Sequence, residues 1–350
     1  MTDLAAVSIG RRLARLLIGL LVTVGAIAVV IVALRPPEVS LATLRSKYAL
    51  AGSRFLRLND GALIHVRDEG NVGAPVLVLV PGLHSPLQVW DAWVQRLKGN
   101  LRLVSIDLPG QGLSDAWPRG DYSLAAMNDL VTEVTSGLAI DRFSIAGHSM
   151  SGGLAWRYAL AHADRVERIV LVAAGGILVE GAGPIPAFRL LAAPFVGPVA
   201  RQLLLRPFVR ATLEQAFVDD DLVDDAMVDR YFETINAEGH RVTLSLRLGY
   251  LLSYEPIERL DAVAVPTLIL WGDQDSLRPV VYASIFHDRI RGSVLRVYPH
   301  VGHFPMEEAA DASAADVLAF MGGGLSAEVP GRTSSSRPVG ATIGSPAPPQ

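Results

Sequence analysis

The sequence predicts an α/β fold: a mostly parallel, doubly wound sheet of about eight strands with a helical cap inserted late in the chain. Three observations carry this. Predominantly apolar runs of strand length (Val76 to Val80, Leu101 to Ile106, Phe143 to Ala146, Ile169 to Ala173, Thr267 to Trp271) recur with helical stretches between them, the alternation expected of right-handed crossovers. Val76 to Val80 is apolar at every position, as in a strand covered on both faces, and Leu101 to Ile106 follows a similar pattern. The alternation then lapses between Leu178 and Ala262, 85 residues with helical spacing and no strand pattern, which reads as the cap.

At the amino terminus, a basic tail over 1–15 precedes an uncharged run from Leu16 to Leu34, flanked by Arg11, Arg12 and Arg15 before it and by Arg35, Pro36 and Pro37 after it. Nineteen residues match the roughly 20 needed to cross the hydrocarbon core, and thirteen of them are Leu, Ile or Val. Insertion is favoured by on the order of −4 to −8 kcal/mol. A cleaved signal peptide fits less well, because the run is too long for a signal core and its Ala-x-Ala, Ala26 to Ala28, lies inside it. The expectation is an uncleaved single-pass transmembrane helix with the folded domain outside the cytoplasm, since long domains translocate largely regardless of flanking charge.

Residues 35–52 read as a juxtamembrane spacer. The first part of the core, 53–177, opens with β-rich runs on either side of Asn59-Asp60-Gly61, a hairpin turn. Helices are expected over Gln88 to Leu97, Ser123 to Leu138 and from Met150 onward. In the cap, 178–262, the candidate pocket walls are Phe188, Phe195, Phe208, Tyr250 and Tyr254, with helices over Leu222 to Phe232 and Val242 to Leu252. Alternation resumes in the second part of the core, 263–321, with a helix near Val280 to Arg289, a strand over Val294 to Tyr298 and a closing helix from Pro305 to Met321. The remaining 29 residues, 322–350, hold six Gly, five Pro and five Ser and no aromatic, the composition of a disordered tail.

Half of the residues are hydrophobic and 19% charged, enough for a large core. A net charge of −4 leaves no basic footprint for nucleic acid. With no cysteine there are no disulfides, thiolate metal sites or cysteine nucleophiles. The aspartates at 219, 220, 221, 224, 225 and 229 lack the glycine and terminal glutamate of a calcium loop and read as a solvated helix start.

Chemistry centres on Ser149, where an apolar strand meets a small-residue corner at Gly147 and a helix departs. A serine on such a turn has its hydroxyl thrust out of the sheet, with the first N–H groups of the next helix pointing at whatever it attacks. Serine also caps helices whatever the chemistry, so the corner alone does not decide. A serine nucleophile needs a base, usually histidine. His303 lies after the last strand, at the sheet edge that carries Ser149; His300 sits behind Pro299 at the strand end, and His65 and His162 have structural places. His300 and His303 form His-x-x-His without an evident third metal ligand. The acid that orients the base can come from Gly272-Asp273-Gln274-Asp275, where either aspartate fits.

Five ordered motifs now stand together: Val80-Pro81-Gly82-Leu83, Asp107-Leu108-Pro109-Gly110-Gln111-Gly112-Leu113-Ser114, Gly147 to Gly152, Leu270 to Asp275, and Gly302-His303. In these the chain resembles the capped α/β-hydrolases, a group that includes carboxylesterases, lactonases, meta-cleavage C-C hydrolases and serine haloperoxidases, over roughly Phe55 to Met321. The resemblance implies a Ser149, Asp275, His303 triad, with Asp273 left as a turn cap, and an oxyanion hole from the backbone N–H groups of Leu83 and Met150. It implies no cofactor or metal. Two departures are Ser151 where the family has glycine and Pro81-Gly82 where it has His-Gly. The expected reaction is hydrolysis of a hydrophobic carboxylic ester or lactone. C-C bond hydrolysis and acyl transfer to an alcohol are alternatives on the same fold, and a non-catalytic scaffold is the alternative of another class.

Overall fold

In the computed structural model, residues 19, 30, 32–177, 190–191, 193, 196–251 and 257–325 are described. A hairpin opens the domain. Strand β1, Ser53–Arg57, pairs antiparallel with β2, Leu63–Gly70, across a turn at which Gly61 takes φ +90°. Then come β3 (Val76–Val80), β4 (Arg102–Ile106), β5 (Phe143–His148), β6 (Val166–Val172), β7 (Thr267–Gly272) and β8 (Val294–Tyr298). The eight strands form one sheet in the order β1-β2-β4-β3-β5-β6-β7-β8, parallel from β4 to β8. The expected mostly parallel sheet of about eight strands is therefore present.

The period-2 alternation of the strands divides the core. Ile145 of β5, Ile169 and Leu171 of β6, and Ile269 and Trp271 of β7 pack on one face with Trp156 and Phe286. Ala146, Val170, Val172, Leu268 and Leu270 face the other way, against Trp90, Trp93 and Val317. The chain runs outward from β3 to β4, then crosses back to place β5 on the other side of β3. Such a reversal of strand order leaves a crevice at the carboxyl ends of β3 and β5.

Helix α1, Leu41–Tyr48, occupies the stretch expected to be a spacer. Ser40 caps it, Leu44 is fully buried, and Arg45 reaches Asp115 at 2.7 Å. Eight residues make too few helical turns to be stable alone, so this helix forms through its tertiary contacts. Helix α2 (Asp91–Leu97) follows a 3₁₀ turn at Leu87–Trp90; α3 spans Leu124–Gly137 and α4 Met150–Ala161. Between β6 and β7 lie α5 (Arg206–Ala216), α6 (Asp225–Ile235) and α7 (His240–Leu251). After β7 come α8 (Val281–Arg289), a turn at Pro305–Glu308 and α9 (Ala310–Met321). The expected continuous closing helix breaks at Ala309, which takes φ −117° and ψ 41°.

The expectation of a transmembrane helix is corrected. Among the described residues no helix is long and apolar enough to cross a membrane. Most of 16–34 lies outside the described residues, and helical backbone at 32–34 ends at Arg35, ahead of Pro36 and Pro37. Apolar composition favours lipid, whereas a span requires about 20 residues of continuous helix, and the helical stretch described at 32–34 falls far short of that. Residues 326–350 of the expected tail also lie outside the described set.

Candidate active site

Strand β5 is buried along its length and ends at His148. Ser149 follows with φ 51° and ψ −119°, and α4 starts at Met150. Positive φ is strained for a residue with a Cβ and is tolerated where surroundings enforce it. Here they do: Ser149 N–H donates to Val172 O at 2.9 Å, and Ser149 O accepts from Gly175 N–H at 2.7 Å. The side chain makes no capping hydrogen bond to α4, so the helix-cap reading does not hold.

The corner is tight where glycine stands. A Cβ at Gly147 would lie 2.1 Å from Ser151 O, and one at Gly152 would lie 2.4 Å from the Ala174 Cβ. Position 151 has room for a small side chain, and Ser151 uses it: its buried hydroxyl donates to Pro81 O at 2.6 Å. The departure at 151 therefore ties the serine corner to the loop after β3.

At the end of β7, the turn separates the two aspartates. Asp273 is exposed, whereas Asp275 is buried and accepts the N–H groups of Leu277 at 2.9 Å and Arg278 at 2.7 Å on Oδ1. Its Oδ2 meets His303 Nδ1 at 2.8 Å. A nitrogen against a carboxylate carries the proton, which leaves Nε2 of His303 as an acceptor. His303 is 4% exposed, and its N–H is fixed to Ala216 O at 2.7 Å. His300 turns away, at φ 58°, to Gln274. The two histidines do not converge, and among the described residues no group of three ligating side chains could hold a metal ion.

Ser149 and His303 come to the same edge without a hydrogen bond between hydroxyl and imidazole among the described residues. The link between their backbones is His148, overlooked in the sequence although it adjoins Ser149. Its Nε2 donates to His303 O at 2.9 Å, and its ring lies 4.8 Å from the rings of His303 and Phe304. Burial, and then the nearby His303, hold His148 well below the usual histidine range, so it is neutral at pH 7.

Across the crevice, Gly82 passes so close that a Cβ there would sit 2.9 Å from His148 Nδ1 and 3.1 Å from the Ser149 Cβ. The Leu83 N–H has no acceptor among the described residues. Met150 opens α4, and the first N–H groups of a helix lack intrahelical partners. Both donors border the Ser149 corner. A half-buried serine whose hydroxyl makes no capping bond, an imidazole with an open acceptor nitrogen and two amides without an acceptor among the described residues are the parts that acyl chemistry uses.

Other residues singled out in the sequence have plainer places. Asp224 caps α6 through the Met227 N–H at 2.7 Å, and Asp225 pairs with Arg206 and Arg210 at 2.6 Å each. Phe208 is 39% exposed on α5. The side chains of Phe188, Phe195, Tyr250 and Tyr254 lie outside the described residues.

The model of a family described as "alpha/beta hydrolase fold" matches residues 75–310. A pimeloyl-[acyl-carrier protein] methyl ester esterase from Nitrosomonas europaea is 29% identical over 248 residues, covering 70% of this chain and 94% of the relative. A 2-hydroxy-6-oxo-6-phenylhexa-2,4-dienoate hydrolase from Burkholderia cepacia is 24% identical over 288 residues, 78% of this chain and 97% of the relative. Among solved structures, Cfl2 from Burkholderia cenocepacia superimposes with a TM-score of 0.68 at 23% identity, over 77% of this chain and 95% of that one.

Proposed function

We propose a specific reaction for this chain, which belongs to the alpha/beta hydrolase fold family and is an enzyme: hydrolysis of a hydrophobic carboxylic ester or lactone through an acyl-enzyme on Ser149. The observation that carries it is the pairing, at one sheet edge, of a strained, uncapped Ser149 with the buried His303–Asp275 couple at 2.8 Å. His303 Nε2 takes the Ser149 proton as Oγ attacks the carbonyl carbon. Asp275 holds the ring's tautomer and stabilises the imidazolium that forms. The N–H groups of Leu83 and Met150 receive the developing oxyanion; a donor of this kind is worth about 2.7 to 4 kcal/mol in acyl chemistry. The same imidazole then protonates the departing alcohol and activates water, which releases the acid and restores Ser149.

Cleavage of a C-C bond in a vinylogous diketone is a second reading, favoured by the similarity to the Burkholderia cepacia hydrolase. It uses the same residues and differs in the leaving group, a carbon rather than an oxygen. A graded panel of esters, lactones and a meta-cleavage diketone separates the two. Fluorophosphonate labelling that maps to Ser149, together with turnover of a short acyl ester, is the expected result. A folded protein labelled nowhere and inert to the whole panel sinks the proposal.

A further inference from the structure

Beside the serine corner lies a buried polar network that the acyl chemistry does not itself use. Gln111, in the loop after β4, is fully buried and has all its hydrogen-bonding capacity filled. Its Nε2 donates to Gly82 O at 2.8 Å and to Ser85 O. Its Oε1 accepts the His84 N–H at 3.1 Å and Nη1 of Arg247 at 2.6 Å. Three of these four bonds grip the backbone of residues 82–85, the loop that carries Leu83. That loop needs gripping, because His84 sits at φ 54°, a strained backbone for a residue with a Cβ.

The fourth bond comes from another part of the chain. Arg247 projects from α7, 136 residues away in sequence, and is 2% exposed. Among the described residues no carboxylate pairs with it, and its Nη2 has no partner. Burial lowers it to about 10, so it stays charged at neutral pH. A buried guanidinium with no carboxylate partner among the described residues carries a heavy desolvation burden, which the contacts described do not offset. What it does in the structure is fix the amide: a guanidinium can only donate, so it holds Oε1 toward α7 and turns both amide N–H groups to the loop. Helix α7 rests directly on this region. A Cβ at Gly110 would lie 2.2 Å from Thr243 Oγ1, one helical turn before Arg247.

We infer that Gln111 and Arg247 are positioning residues that clamp the loop bearing the Leu83 N–H and couple the cap helix α7 to the oxyanion hole. The inference rests on the acyl-transfer reading of Ser149. When α7 is seated, Arg247 orients Gln111, and Gln111 sets the loop at which the Leu83 amide meets the oxyanion. When α7 lifts, the amide is free to rotate and the strained loop relaxes. The clamp therefore acts on the transition state rather than on substrate binding.

The test uses Arg247→Met, Arg247→Lys and Gln111→Glu in the full chain, measuring p-nitrophenyl acetate turnover, inhibition by a boronic acid that forms a tetrahedral adduct, and Tm. Gln111→Glu keeps the shape and a partner for Arg247 but presents oxygens to Gly82 O and Ser85 O. Misplacing or losing one oxyanion donor lowers kcat by about 100-fold. The expected result is a fall of that size in kcat for Arg247→Met and Gln111→Glu, a matching loss of boronate affinity, KM within about threefold and partial recovery in Arg247→Lys. Tm of Arg247→Met should hold or rise, because a buried charge with no carboxylate partner among the described residues has been removed. If Arg247→Met does not fold, Gln111→Glu and Arg247→Lys still decide. Variants with wild-type kcat and boronate affinity overturn the clamp, as does a loss of activity that follows Tm while boronate affinity is unchanged. A wild-type protein that neither turns over ester nor labels at Ser149 overturns the acyl-transfer reading, and with it the hole the clamp would serve.

Discussion

Two Ser-His-Asp constellations sit in this domain, and their difference is instructive. In the first, His303 Nδ1 meets Asp275 at 2.8 Å beside Ser149. In the second, His65 Nδ1 meets Asp107 at 2.6 Å, and His65 Nε2 meets Ser53 Oγ at 2.8 Å. By distance alone the second is the more complete. Yet every one of its groups is already committed: Ser53 Oγ also accepts the Leu50 N–H at 3.0 Å, and Asp107 also accepts Leu87 N–H at 2.7 Å and Leu113 N–H at 3.0 Å. Ser53 lies on the ordinary extended backbone of β1, with no helix start beside it. This set pins the first hairpin to the Asp107 loop. Ser149 is held at positive φ with an uncapped hydroxyl, and His303 keeps Nε2 open. Availability, not the histidine-aspartate bond, separates the set proposed to react from the structural one.

Mutations can break that comparison. Ser149→Ala should lower kcat for a short ester by about six orders of magnitude and abolish fluorophosphonate labelling. A label that persists and maps to Ser53 would reverse the roles given to the two sets. Asp275→Asn leaves the geometry but permits the wrong tautomer of His303, so kcat should fall by about 10⁴ with Tm little changed. Steady-state kinetics beside a thermal melt reads both quantities.

Ser53→Ala should behave in the opposite way. It leaves His65 Nε2 without its partner in a fully buried site and should destabilise the fold by about 1 to 3 kcal/mol, with kcat of the folded protein within about twofold of wild type. Denaturant titration and ester turnover on one preparation check this; a large loss of kcat at unchanged stability would contradict it.

The smallest effect separates titration at the site from titration of the fold. Burial pushes the Glu307 carboxyl, four residues after His303, up to about 8 from an ordinary 4.5. Below pH 4.5 the group is protonated folded or unfolded. Between about 4.5 and 8 the unfolded chain ionises first, so stability declines as pH rises through that window. Relative to Glu307→Gln, wild type should therefore lose Tm steadily from pH 5 to 8. A flat difference between the two melts would remove Glu307 from the account. An activity loss on acidification does not come from Glu307, because acidification strengthens its contribution to the fold.

Much was legible in the sequence because it is written in short stretches. Buried parallel strands need apolar residues at successive positions, and five motifs placed the Gly82, Ser149, Asp275 and His303 loops at one edge. The choice between Asp273 and Asp275 was not local; it depended on which carboxylate the turn buries against His303. Helix α1 was invisible for a related reason, since eight residues of weak pattern become a helix only against Leu113, Asp115 and the cap. For the run over 16–34, composition states a preference for an apolar surrounding, and most of that run lies outside the described residues.

By itself, then, the sequence determined the sheet, its edge and the residues gathered there, because strand periodicity and tight corners are properties of neighbouring residues. Tertiary structure alone decided that Ser151 ties the corner to Pro81, that Ser53, His65 and Asp107 form a closed second set, and that Arg247 reaches Gln111. Those partners lie 70, 42 and 136 residues apart, for Ser151–Pro81, His65–Asp107 and Arg247–Gln111 in turn. No local pattern encodes such pairs; packing of the whole sheet and cap brings them within hydrogen-bond reach, and burial then obliges each polar group to find one.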